Sequence, residues 1–161
     1  MQDRVADLRS PSAAHRVLEQ PAGSWSMLYR VWIDPNGPPL SLPAEADCRM
    51  IFGGRYLRQE MKGSHAEGLG LEGYDNVTQQ YSWVWIDSSN THTLCFRGSA
   101  EESGRVLTYE GDIPDPVSRS LKRARVVIRI LSSDRHTFEF LELWGEGQDR
   151  KLFDITYTRK A

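Results

Sequence analysis

The chain has 161 residues and a mass of 18.4 kDa, is 39% hydrophobic and 26% charged, and carries a net charge of −2 with a pI of about 6.1. That size fits one domain spanning 1–161 with a core of its own, and the charge balance advertises no basic face, so nucleic acid is not an expected partner. No apolar run approaches the ~18 residues of a membrane span, and the mixed charges of MQDRVADLRSPSAAH leave no secretory h-region. A cytoplasmic protein without a membrane partner is therefore expected, its two cysteines, Cys48 and Cys95, both reduced.

Residues 1–9 are polar and read as loose. Ser10-Pro11 then reads as an N-cap followed by a first helical position, and opens a short helix over 10–20 that Pro21 and Gly23 end. From Gly23 to residue 160 the pattern changes to extended runs divided by turn chemistry. They are GSWSMLYRVWID, AEADCRMIF, RYLRQEMKG, AEGLGLEGYD, QYSWVWID, HTLCFRGSAE, RVLTYEGD, LKRARVVIRILS, HTFEFLELWG and RKLFDITYTRK. IPDPVSRS reads as the one longer connection. About ten strands at this spacing, joined by hairpins, predict an all-β antiparallel meander. Two bare edges would invite aggregation, so the meander is expected to close into an up-and-down barrel over 23–160. In the first strand Trp25, Met27, Tyr29, Val31 and Ile33 share one face, with Trp32 as an exception on the other.

An even-stranded closed barrel makes its first and last strands neighbours, running antiparallel. Trp25 opens the first and Arg159 closes the last, so a guanidinium can lie over the indole. Gly23 lets the chain turn sharply into the strand. Gly23, Trp25 and Arg159, with the short helix, are read as a latch closing one end.

Several motifs fail on context. Gly68-Leu69-Gly70-Leu71-Glu72-Gly73 spells G-x-G-x-x-G, but an aromatic strand follows where dinucleotide binding needs a helix. Gly68 and Gly70 read instead as one face of a strand that something approaches closely. His15, His65, His92 and His136 show no metal-ligand spacing and read as surface or turn residues; no metal is expected. The pairs Glu101-Glu102 and Asp112/Asp115 lie at turns and read as solvated. No G-x-S-x-G occurs, and no catalytic residue is assigned.

Tyr81, Trp83, Trp85 and Asp87 share a face and suit an aromatic cavity wall with a polar group at its rim. Met27, Tyr29 and Val31, the face Arg55/Leu57/Gln59/Met61, and Phe96, Phe138 and Phe140 are the other candidate lining residues. Two registers are open to the run 121–131. Apolarity points Ala124, Val126, Ile128 and Ile130 inward and leaves Arg123, Arg125 and Arg129 in water. The other register aims Arg125, Val127 and Arg129 at the cavity, where guanidiniums need acids or an anionic ligand.

The GSW start, IFGGRYLRQEMKG at 51–63, the segment from GLGLEGYD to WVWIDSS over 68–89, and ITYTRK at 155–160 together resemble the DUF1579 family of bacterial proteins, within the calycin, or lipocalin-like, superfamily. The resemblance covers nearly everything after about residue 13. It implies a lipocalin-like barrel and carries no activity with it. It also leans toward the second register, so Arg125 and Arg129 join the candidate lining. Nitrobindin-like haem barrels are similar in shape, but their haem-ligating histidine near the chain end has no match here, and no cofactor is expected. The expected function is a small-molecule-binding barrel for an apolar ligand, with or without a carboxylate. The alternatives are an isomerase- or cyclase-type enzyme using the cavity as a shaped chamber, and a filled barrel with a structural or interaction role. Self-association is left open.

Overall fold

The computed structural model describes residues 5, 7–145 and 147–161. Residues 1–4 and 6 of the segment read as loose lie outside the described residues. Within it Val5, Asp7 and Leu8 are helical rather than loose, and a short helix, α1 (Ala13–Val17), then precedes ten strands. These are β1 (Gly23–Val31), β2 (Leu40–Ile51), β3 (Tyr56–Gly63), β4 (Glu67–Asp75), β5 (Gln80–Asp87), β6 (Leu94–Ala100), β7 (Val106–Asp115), β8 (Ser120–Ser132), β9 (Arg135–Glu142) and β10 (Arg150–Arg159). Each strand pairs antiparallel with its chain neighbours, and β1 pairs with β10 to close the barrel. The seam runs from Trp25 opposite Arg159 to Val31 opposite Phe153.

The helix is shorter than the sequence implies, because its N-cap is Ser12 rather than Ser10. The Ser12 backbone N–H donates to His15 Nδ1 at 2.9 Å, the reciprocal bond that a Glu or Gln usually makes in a capping box. This buries His15, which was expected at the surface.

Two prolines sit inside strands that the sequence reading cut short. Pro43 extends β2 back to Leu40 and pairs with Leu28 of β1, beyond the first β2–β3 partners, Ala44 and Gly63. There β2 has one neighbour only, and a missing N–H costs no second ladder bond. Pro114 lies within β7, opposite Leu121. Half of IPDPVSRS is therefore strand, and the connection shrinks to a tight turn over 116–119. Asp115 holds that turn by accepting from the N–H of Val117 (3.1 Å) and the hydroxyl of Ser118 (2.6 Å). The β4–β5 turn repeats the device: Asp75 accepts from Val77 N–H (2.9 Å) and the Thr78 hydroxyl (2.8 Å).

β8 takes the register that apolarity dictates. Ala124 and Val126 are fully buried, and Ile128 and Ile130 nearly so. This corrects the expectation that Arg125 and Arg129 face the cavity. Arg125 lies outside against Glu110 (2.8 Å) and Asp149 (3.0 Å), and Arg129 lies 3.7 Å from Glu139. The outer wall offers these cations carboxylates and water together, whereas the apolar interior would strip their hydration. Ile33, too, leaves the face assigned to it: β1 ends at Val31, and Ile33 is exposed in the turn. Trp32 stays outside, with Arg30 and Lys151 over its ring at 5.7 and 5.6 Å.

Candidate functional site

The antiparallel order gathers the β2–β3, β4–β5, β6–β7 and β8–β9 turns at one end, with α1 beneath them. This end is closed. Leu18, just past α1, is 1% exposed. The Tyr81 hydroxyl donates to Ala14 O at 3.0 Å, and Gln20 Nε2 to Gly104 O at 2.7 Å. Gly23 turns into β1 at φ +132°, and a Cβ there would fall 2.1 Å from Arg159 Nη1. Trp25 is 1% exposed; its Nε1 donates to Pro21 O at 2.8 Å. The Arg159 guanidinium lies 4.2 Å from the Trp25 ring centroid and donates to Ala22 O and Ser133 O, both at 2.8 Å.

Above this plug His136 packs edge-on to Trp25, with centroids 4.4 Å apart, and stacks on Tyr157 at 4.1 Å. Burial, then the nearby Arg159 charge, lower its pKa to about 3, so the ring is neutral. Its Nδ1 is buried without a hydrogen-bond partner among the described residues.

A cavity of about 390 Å³ rises from His136 and Tyr157 to the turns at the other end, where His65, Ser89, Asn90 and His92 line the mouth. Stacked rings form its walls. Trp83 and Trp85 lie 6.2 Å apart and parallel within 3°. Phe153 stacks on Phe138 at 5.9 Å and on Phe140 at 5.0 Å. Gly68 and Gly70 make room for the Trp85 indole: a Cβ at Gly68 would meet Trp85 Cζ2 at 2.2 Å. The glycine pattern in β4 is therefore a seat for an aromatic ring. Trp85 Nε1 donates to Asp87 Oδ2 at 3.0 Å near the mouth. Burial raises the Asp87 pKa, but hydrogen bonds from Ser89, Trp85 and Asn90 outweigh it and hold the carboxylate below its ordinary value.

Polar groups in the interior are few and buried. Gln59 Nε2 donates to the Tyr157 hydroxyl at 3.2 Å. Glu72 is 7% exposed and takes a 2.7 Å hydrogen bond on Oε2 from the Tyr109 hydroxyl. Burial pushes its pKa up to about 7, against that hydrogen bond. Burial likewise raises the pKa values of Tyr29, Tyr109 and Tyr157, and pushes the Cys48 thiol up to about 12. Near neutral pH the chamber thus holds one acid poised between its two protonation states, among phenols and an imidazole that stay neutral. Among the described residues no group of three or more His, Cys, Asp or Glu could hold a metal ion.

Of the candidate lining residues, Tyr29, Val31, Gln59, Met61, Trp83, Trp85, Asp87, Phe138 and Phe140 do line this cavity. Met27, Leu57 and Phe96 are packed in the core instead. Arg55 sits outside, at the β2–β3 turn, donating to Phe52 O and Arg9 O. Sequence reasoning missed Glu72 and His136. A signal existed for both: Glu72 continues the alternation that aligns Gly68 with Gly70, and His136 that of Phe138 and Phe140.

Fold and cavity together define a closed up-and-down β-barrel enclosing a mostly apolar chamber. The chain belongs to the DUF1579 family, described as a protein of unknown function, whose model matches residues 10–159. Rv2717c from M. tuberculosis has a similar solved structure, with a TM-score of 0.66 at 15% identity, over 94% of this chain and 100% of that one. A redesigned β-barrel matches at a TM-score of 0.40 and 9% identity, over 91% of this chain and 96% of its own. A DUF3598-family protein of unknown function from Nostoc punctiforme matches at 0.27 and 7%, over 93% and 100%. No curated protein matches the sequence significantly. Among the described residues no helix is long and apolar enough to cross a membrane.

Proposed function

We propose that this barrel binds a small, mostly apolar molecule in its interior. The observation that carries the reading is the chamber of about 390 Å³ walled by stacked Trp and Phe rings and open at one end. That volume lies in the range of ordinary small-molecule sites. The carboxylate once considered for the ligand loses its basis, since Arg125 and Arg129 are outside. Titration with an apolar fluorescent probe tests the reading. Trp83 and Trp85 should be quenched saturably at one probe per chain; absence of saturable quenching with any such probe overturns it in favour of a filled barrel.

One observation favours a second reading, an enzyme that uses the chamber. Glu72, with its pKa near 7, could take a proton from a carbon acid and return it to another carbon of the same molecule. Deuterium wash-in from solvent into a bound ketone, abolished in Glu72→Gln, would distinguish turnover from binding.

A further inference from the structure

The inside and outside of the wall carry opposite charge patterns. Outside, cations and carboxylates alternate: Arg30 with Asp154 at 2.7 Å, Lys151 with Glu139 at 3.5 Å, Arg123 with Glu110 at 3.2 Å. Inside, the cavity lining among the described residues includes two carboxylates, Glu72 and Asp87, and no lysine or arginine. Glu72 is held on Oε2 by Tyr109, and among the described residues no hydrogen bond to Oε1 is seen. Its strand neighbours, Leu57 and Trp83, offer it no donor from their side chains beyond an indole that stacks on Trp85.

We infer that the ligand is an apolar amine whose nitrogen seats against Glu72, with its hydrocarbon or aromatic body between the stacked rings. This inference rests on the proposed binding function and names the ligand class for the same cavity. Three physical terms favour it. An ammonium supplies the counter-charge that the interior lacks and a donor for Oε1, a charge-assisted bond in a place that excludes water. The faces of Trp83, Trp85 and Tyr29 attract cations. Asp87 near the mouth gives the entrance a negative charge, which draws in an ammonium and repels a carboxylate. A carboxylate guest would meet two acids and no cation.

Three naphthalene probes of matched size test this: 1-naphthylmethylamine, 1-naphthalenemethanol and 1-naphthoate. The amine is expected to bind about ten- to a hundred-fold more tightly than the alcohol, and the acid most weakly. Glu72→Gln should bring the amine-to-alcohol affinity ratio to about one. A second measurement serves should that variant fold poorly. With Glu72 intact and His65→Asn and His92→Asn at the mouth, the amine-to-alcohol affinity ratio should fall toward one between pH 8 and pH 5 as Glu72 takes up a proton. Tyr109, Tyr157 and Cys48, which electrostatically touch Glu72, are all raised and stay neutral throughout; His136 is neutral, and Asp87 stays ionised. Equal affinities for amine and alcohol, tighter acid binding, or an amine preference that survives Glu72→Gln would overturn the inference and leave the binding function standing. Failure of all three probes to bind would remove the binding function, and the amine with it.

Discussion

The two ends of the barrel use tryptophan in opposite ways. At the closed end Trp25 is covered on every side: the Arg159 guanidinium lies on its face, His136 abuts it, and a backbone carbonyl takes its N–H. Toward the mouth Trp85 is half-buried, its N–H goes to a side chain, and its ring lies against glycines and looks onto empty space. The first arrangement holds chain segments together. The second leaves ring surface available to a guest. A large aromatic in a barrel strand thus has no fixed role; what covers its faces decides.

The comparison breaks most visibly at Trp25. Trp25→Ala should cost about 3–5 kcal/mol of stability, the usual toll for deleting a buried large aromatic. Arg159→Met should cost about 1–2 kcal/mol. Because the groups touch, urea denaturation of both single variants and the double variant should show non-additive losses; additive losses would mean that the stack contributes nothing.

Next comes pH, where two buried groups of the chamber pull in opposite directions. His136 has a pKa of about 3 in the fold against 6.5 unfolded, so its contribution is present above pH 6.5 and lost as pH falls toward 3. Glu72 is raised from 4.5 to about 7, so its contribution is present below pH 4.5 and lost as pH rises through 7. Each swing is on the order of 3–5 kcal/mol at most. Relative to wild type, His136→Phe should be spared on the acid side and Glu72→Gln on the alkaline side, read from urea midpoints across pH. Curves parallel to wild type would show that these groups do not titrate with unfolding.

The smallest effect falls at the glycine seat. Gly68→Ala puts a Cβ into the Trp85 ring, and overpacking of this kind costs about 1–3 kcal/mol. The indole must move, so tryptophan emission and probe affinity should change together. A variant with native emission and native affinity would show that the seat does not position the ring.

Much of the architecture was legible because strand periodicity is strict: Trp25, Met27, Tyr29 and Val31 alternate so regularly that only one face can be inside. The prolines were not legible. Pro43 and Pro114 fell outside the runs read as strands, yet a proline interrupts a ladder only where its N–H would have been paired, and pairing depends on which neighbour lies alongside. On β8, apolarity was the sounder guide than the resemblance, because the desolvation of two guanidiniums outweighs any analogy. For Glu72 alternation was enough to place the side chain inside. What sequence could not supply was its partner, Tyr109, brought to it from three strands away.

The seam between β1 and β10 has one more consequence. Every other pairing in the barrel joins strands adjacent in the chain, so it forms at the small entropic cost of a short loop; the seam alone must bring together Trp25 and Arg159 from opposite ends of the sequence. Until it zips, β1 and β10 are two unpaired edges of an open, curling ribbon, each a template for the other or for the same edge of a second molecule. The arginine that caps the tryptophan therefore stands at the point where the nascent chain must choose between its own tail and a stranger's.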